Sequence, residues 1–364
     1  MSDEGFMPAA TYRQGTPTGQ SGQFAVRTVP RPDTPRDGLL LRVRAASICG
    51  TDVKIIRNGH RKLADGQSIV LGHEFVGTIE RVGAEVEGYR VGQRVGVAPN
   101  AGCGHCEACI RGQANYCPQY TAFGIDRDGG HAAYVEIPAK FLAQGNVIPL
   151  PDGVSDREAS LLEPFSCVVN GVRAARLALG DTVAIFGAGP IGLLHLMLCR
   201  IAGAARVLVI DPQEDRLRRA VELGCDAAID PTHCDVRAQI RRETDGRGAD
   251  VVITACPVAE VQTLAVDLLA PYGRLCLFGA LPRGGSHVPL DTNAIHYGNY
   301  LVTGSTGGSA QDYRIALRLV GGKRIDLTAV ISDVFAFDAP ALEEAYQTAL
   351  RGASGKVVLV AEGP

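Results

Sequence analysis

Cys103, Cys106, Cys109 and Cys117 lie in the run Gly102-Cys-Gly-His-Cys-Glu-Ala-Cys-Ile-Arg-Gly-Gln-Ala-Asn-Tyr-Cys117. That C-x2-C-x2-C-x7-C spacing lets four thiolates close tetrahedrally on one ion, which is the chemistry of a structural zinc. The competing use of four such thiols is a pair of disulfides, which need an oxidising compartment. The N-terminal run Met-Ser-Asp-Glu-Gly-Phe has neither the basic start nor the apolar stretch of a secretory signal, so metal-bound thiolates in a reducing cytoplasm are expected. Cys167, Cys199, Cys225, Cys234, Cys256 and Cys276 stand singly and read as ordinary core or surface thiols.

A second constellation is differently composed. Cys49 opens Cys-Gly-Thr-Asp52, and His73 and Glu74 lie in Leu71-Gly-His-Glu-Phe-Val-Gly77, where flanking glycines let the backbone bring both side chains close to a metal. Glu163, in Leu161-Leu-Glu-Pro-Phe-Ser166, is a carboxylate in apolar surroundings, costly unless a charge compensates it. One soft ligand, one imidazole and nearby carboxylates describe an open site with room for water or substrate. A closed site and an open site on one chain suggest a zinc enzyme.

A third cluster concerns a phosphate ligand. The apolar run Thr182-Val-Ala-Ile-Phe186 leads into Gly187-Ala-Gly-Pro-Ile-Gly192 and then a helical pattern from Leu193. In that context Gly187 permits the tight turn, Gly189 lets backbone approach a pyrophosphate, Gly192 allows close helix packing, and the helix N-terminus faces the anion. A second strand ends at Asp211, placed to accept from the adenosine ribose hydroxyls and to repel a 2′-phosphate. Pro212-Gln-Glu-Asp215 offers no immediate cation to hold that phosphate, so NAD is favoured over NADP. Pro190, Ile191 and, beyond the acid, Arg216 are counted with the cofactor-binding residues.

The elements that must position these groups fall into two textures. At 364 residues the chain exceeds a single core, so two domains are expected. From about Gly38 to Val147 short glycine-broken strands, among them Leu39–Ala45, Val76–Val82 and Arg94–Pro99, suggest a barrel-like β domain. The first 20 or so residues read as a loose lead-in, followed by at most one or two strands. From about Ala159, unalternated apolar strands at Thr182, Arg206, Asp250 and Gly273 alternate with helical runs, the mark of a parallel sheet covered on both faces. No apolar stretch reaches the roughly 18 residues of a membrane span. The net charge of −3, with Arg111 the one firm positive charge in the cysteine lobe, excludes a nucleic-acid-binding zinc ribbon as the leading reading.

Taken in order, Cys49-Gly-Thr-Asp, Gly72-His-Glu, the four-cysteine lobe, Glu163-Pro and Gly187-x-Gly-x-x-Gly resemble the zinc-dependent medium-chain dehydrogenases across nearly the whole chain. Within that family the chain looks most like the polyol, sorbitol-type branch, through Glu163-Pro-Phe-Ser in place of a third cysteine and through Asn293-Ala-Ile-His-Tyr297. The resemblance implies an α/β protein: a GroES-like β-rich catalytic domain over 1–166, carrying the zinc lobe at 100–118 and completed by 305–364, with a doubly wound Rossmann domain inserted over 167–304. It implies two Zn2+ per chain, NAD, a small-molecule alcohol substrate and a homodimer or homotetramer.

By the same resemblance Cys49 and His73 bind the catalytic zinc, Glu74 and Glu163 compete for the remaining protein position, and Asp52 orients His73. Thr51 matches the hydroxyl that takes the proton from the substrate alcohol, and Phe123 is a candidate pocket wall or a plain core ring. Lys54 stands where many relatives carry a relay histidine, with His60 an alternative proton exit. Thr254-Ala-Cys-Pro257 departs from the acid and glycine that relatives often place there. The implied reaction is NAD-dependent oxidation of a secondary alcohol of a polyol, sugar alcohol or cyclitol to the ketone, with Lys54 and His296 available for polar contacts. The nearest alternative is a threonine-type amino alcohol dehydrogenase. A zinc-free quinone reductase of the superfamily lacks the lobe, and a regulatory protein binding NAD and zinc without turnover has no use for an intact Cys49, His73 and Thr51.

Overall fold

The structure, a computed structural model, describes residues 5–16, 21–282 and 284–361. The two textures of the sequence separate into two units, residues 1–166 with 308–364, and residues 167–307. In the first unit the strand Leu39–Ser47 is the hub of a seven-stranded sheet. It pairs antiparallel with Glu74–Val82, with Tyr134–Ile137 and with the C-terminal strand Lys356–Val360. The register sets Ser47 opposite both Glu74 and Val358, so the end of the hub strand stands between two strands distant in sequence. One face buries Leu39, Leu41, Phe75, Ile79, Val95 and Val97, apolar positions of strands alternating with a period of two.

The lead-in expected to be loose is partly ordered. Phe6–Arg13 forms a strand paired antiparallel with Gln23–Pro30 and with Ser68–Val70. Two adjacent alanines at its centre weakened the signal, but Ala9, Ala10 and Tyr12 are fully buried. Tyr12 packs in a core with Ile55, Leu71, Leu342 and Tyr346, the last two from the helix Ala339–Arg351. Residues 1–4 and 17–20 of the lead-in lie outside the described residues.

In the second unit all six strands are parallel, in the order Ala227–Ile229, Arg206–Ile210, Thr182–Phe186, Ala249–Thr254, Leu269–Leu277, Leu301–Gly304. The first strand in sequence, Thr182–Phe186, is central, and successive connections leave it in opposite directions. Its carboxyl end is therefore the switch point at which such sheets bind nucleotides. The architecture is α/β, a GroES-like unit with a Rossmann-type parallel sheet. Among the described residues no helix is long and apolar enough to cross a membrane.

Candidate active site

The open site is assembled from the start of a helix and from the turn that enters a strand, both in the first unit. Cys49 directly precedes the helix Gly50–Asn58, and its backbone N–H donates to Asp52 Oδ2 at 2.8 Å. The first helical turn thus fixes the thiol, and the Thr51 hydroxyl follows two residues on, half-buried. His73 ends a turn made possible by Gly72, which holds φ +95°, and Glu74 begins the next strand. The donor atoms of Cys49, His73 and Glu74 all lie within 4.8 Å of one another.

The electrostatics of the cluster suit a cation. His73 Nδ1, Asp52 Oδ1 and Glu74 Oε1 are buried polar atoms without hydrogen-bond partners, an arrangement that costs several kcal/mol in a dry interior unless charge compensates it. His73 Nδ1 is 3.7 Å from Asp52 Oδ1. Burial by itself lowers the proton affinity of the His73 ring. The Cys49 sulfur and then the Asp52 carboxylate outweigh it, so the net direction is well above an ordinary histidine. Cys49, His73 and Glu74 bring one sulfur, one imidazole and one carboxylate together, a donor set that fits a divalent zinc.

Glu74 is not free to swing. Its Oε2 accepts from the Ser47 hydroxyl and from the Lys356 ammonium, and Lys356 Nζ also donates to the Ile48 carbonyl at 3.0 Å. Burial opposes charge on the carboxylate, but Lys356 and His73 hold it below its usual range. Sequence reasoning missed both Ser47 and Lys356. The signal for Lys356 was a lysine opening the apolar strand Lys-Val-Val-Leu-Val360, where a solvated residue would be the default reading.

Glu163 lies outside the three-donor cluster. It is buried, in the first turn of the helix Leu162–Ala174, where the helix dipole favours a carboxylate. Its charge is one of the influences raising both His73 and Lys356. Lys54 is on the exposed side of Gly50–Asn58, and His60, half-buried beyond it, accepts the Lys62 amide on Nδ1 at 3.3 Å. Phe123 is a core ring and not a pocket wall: it is 1% exposed, edge-on to Phe75 at 5.4 Å and tilted against Phe141 at 4.3 Å.

The four lobe sulfurs also lie within 4.8 Å of one another, and Cys103 Sγ and Cys109 Sγ are 4.0 Å apart. Tetrahedral zinc with Zn–S of about 2.3 Å needs S–S edges of about 3.8 Å, whereas a disulfide needs about 2.05 Å. Backbone amides point at the sulfurs: Cys103 and Gln119 donate to Cys117 Sγ, and Cys106 donates to Cys103 Sγ. Amides of His105 and Cys106 pull the Cys103 thiol down to about 6, while burial pushes Cys109 up to about 11. The set is built to carry negative charge on some sulfurs and needs a cation for the rest.

In the second unit Gly187 has φ +99°, and a Cβ there would meet Ala255 O at 3.1 Å and Cys256 Cβ at 3.4 Å. The departing Thr254-Ala-Cys-Pro segment therefore packs beneath the turn. A Cβ on Gly192 would collide with Gly187 O, while Gly189 faces open space as a pyrophosphate approach requires. Pro190 and Ile191 begin the helix Pro190–Ile201. Asp211 is buried, accepting from Ala188 N at 2.8 Å and Gln213 N at 2.9 Å. The sequence reading found no immediate cation after Asp211; one helical turn on, Arg216 Nη1 comes to 3.8 Å from Asp211 Oδ2. His296 is exposed on the helix Thr292–Gly298 of this unit.

Comparison with known proteins agrees with this geometry. The alcohol dehydrogenase GroES-like domain family matches residues 35–152, and the zinc-binding dehydrogenase family matches residues 190–321. The L-threonine 3-dehydrogenase of Pyrococcus furiosus is 34% identical, over 90% of this chain and 93% of that protein. The sorbitol dehydrogenase of Halalkalibacterium halodurans is 29% identical, over 93% of this chain and 96% of that protein. Among solved structures, a zinc-binding dehydrogenase from Sinorhizobium meliloti bound to NADP superimposes with a TM-score of 0.86 at 31% identity, covering 98% of this chain and 99% of that one.

Proposed function

Because this chain belongs to the zinc-dependent medium-chain dehydrogenases and is an NAD(P)-dependent oxidoreductase, we propose that it oxidises a secondary alcohol of a polyol, sugar alcohol or cyclitol to the ketone with NAD. The observation that carries this reading is the three-donor cluster with its buried, orphaned polar atoms. When bound, zinc supplies Lewis acidity to a substrate hydroxyl and the nicotinamide supplies the hydride acceptor.

The chain's own residues do the rest. Cys49, His73 and Glu74 would hold the ion, Asp52 faces the His73 ring at 3.7 Å and would orient it, and Lys356 and Ser47 keep Glu74 in one rotamer. Glu163 adds a negative charge that His73 senses, and it would moderate the electrophilicity of a bound ion. The Thr51 hydroxyl, at the start of the helix that Cys49 caps, receives the substrate proton and passes it outward, with the half-buried His60 imidazole as the group that can accept it next. The glycine turn seats the pyrophosphate, and Asp211 takes the ribose hydroxyls and disfavours a 2′-phosphate. Arg216 beside Asp211 moderates that preference and does not reverse it, because the carboxylate already pairs with the guanidinium.

A second reading has its own support: the 34% identity to the Pyrococcus L-threonine 3-dehydrogenase favours a β-hydroxy amino acid as substrate. Sorbitol, xylitol, myo-inositol and L-threonine, each assayed with NAD and with NADP by absorbance at 340 nm, separate the two. A kcat/KM for L-threonine at least tenfold above every polyol overturns the polyol reading, and the reverse ratio sustains it.

A further inference from the structure

Behind the open site lies a polar contact chain that the reaction chemistry does not use. His131 is fully buried, with Nε2 3.2 Å from the Ser47 carbonyl oxygen and Nδ1 2.6 Å from Tyr346 Oη. A carbonyl only accepts, so Nε2 carries the proton, and the bare Nδ1 accepts the Tyr346 O–H. Burial, the leading influence on this ring, lowers its proton affinity and keeps it neutral. Tyr346 is itself fully buried on the helix Ala339–Arg351, edge-on to the imidazole and packed on Phe24 at 4.5 Å.

The same ring backs both ligand-bearing segments. Ser47, whose carbonyl it holds, lies two residues before Cys49, and the Ser47 hydroxyl donates to Glu74. Gly72 precedes His73, and a Cβ on it would run into the His131 ring. The His131 amide donates to Leu71 O at 2.9 Å, and the Gly130 amide donates to Gly72 O at 2.8 Å. One imidazole is thus the common support of the Cys49 arm and the His73-Glu74 arm, and one phenol from the C-terminal helix fixes its tautomer and tilt.

We propose that His131, held by Tyr346, is a positioning residue for the open metal site, setting the separation of Cys49 from His73 and Glu74 by tying both arms to the helix Ala339–Arg351. The inference rests on the reading of those three residues as a zinc site. It gives the C-terminal helix a direct hold on metal affinity through groups that touch neither metal nor substrate.

The test uses Tyr346→Phe, which keeps the ring and its packing and removes the hydroxyl, with His131→Phe as a second variant that removes both hydrogen bonds. Zinc release from the purified holoenzyme into a chromogenic chelator is followed as two phases, the open site and the lobe. Tyr346→Phe is expected to release open-site zinc about tenfold faster, the scale of effects seen beyond the direct ligands, with the lobe phase unchanged. Leu342→Ala, in the same helix and core but outside the Ser47–His131–Tyr346 chain, is the control for general loosening. Unchanged open-site release in Tyr346→Phe overturns the proposal. So does an equal acceleration in Leu342→Ala at an equal fall in Tm. A parent protein that holds lobe zinc but no open-site zinc overturns the site reading itself, and this inference with it.

Discussion

The two metal clusters solve one problem in opposite ways. The lobe draws every donor from residues 103–117, presents four sulfurs, and aims amides of its own short loops at two of them, Cys103 and Cys117. The open site draws its donors from the cap of one helix and from a turn running into a strand, is mostly buried, and leaves three polar atoms around it without hydrogen-bond partners. A set closed within one short segment is what a chain needs to hold its shape. A set assembled from distant segments, with unsatisfied atoms and a hydroxyl beside it, is what it needs to do chemistry. Loss of a lobe ligand should therefore be felt as instability, and loss of an open-site ligand as inactivity.

The largest effect expected is on turnover. Cys49→Ser should lower kcat by at least a thousandfold and abolish open-site zinc, while circular dichroism and lobe zinc stay as in the parent. The mirror experiment is Cys106→Ser, which should lower Tm by more than 10 °C or prevent folding, since structural zinc carries folding energy directly, on the order of 10 kcal/mol in small sites. If the two variants show the same phenotype, the division of labour is wrong.

How much of this was legible in the sequence follows from the same contrast. The lobe and the glycine turn are local, so residue type and spacing displayed them whole. The open site was legible only as separate pieces, because Cys49 and His73 meet through sheet register. Its supports were not legible at all: Lys356 reaches Glu74 across 282 residues and Tyr346 reaches His131 across 215. A lysine opening a strand and a tyrosine in an amphipathic helix have ordinary surface and core uses, and only the fold removes those. The Phe6–Arg13 strand was missed for a related reason, since Ala9 and Ala10 give little hydrophobic signal until Val70 and Ala132 cover one and the helix Ala339–Arg351 the other.

Next in size is cofactor choice. Asp211→Ser should erode the ratio of kcat/KM for NAD over NADP by about ten- to a hundredfold, because it removes a buried charge opposed to the 2′-phosphate and frees Arg216 to meet it. An unchanged ratio means that the preference, if present, is set elsewhere.

The smallest effect sharpens what makes an orphaned histidine a metal site. His195 is buried with both ring nitrogens unpartnered, where His73 leaves only Nδ1 so, and it lies edge-on to Phe278 at 4.7 Å with no metal-ligating cluster around it among the described residues. Burial pushes it down to about 3. A histidine lowered in the folded state binds its proton more readily when unfolded, so its stabilising contribution is complete above about pH 6.5. It declines as pH falls from there toward about 3, at up to about 1.4 kcal/mol per pH unit. Between pH 7 and pH 5 the parent should therefore lose about 2 kcal/mol more unfolding free energy than His195→Leu, with zinc content equal in both. Parallel losses in urea melts at the two pH values would show that the ring does not behave as a neutral orphan.

The central claim is that the two sites are separate zinc centres with separate duties. The direct measurement is a single time course of zinc content, activity and Tm during treatment of the enzyme with a chelator. The account predicts two zinc ions per chain at the start, loss of the first in step with activity while Tm stays nearly constant, and recovery of activity when zinc is restored. Activity that survives loss of the first ion, or a folded and active enzyme holding one zinc from the outset, would contradict it.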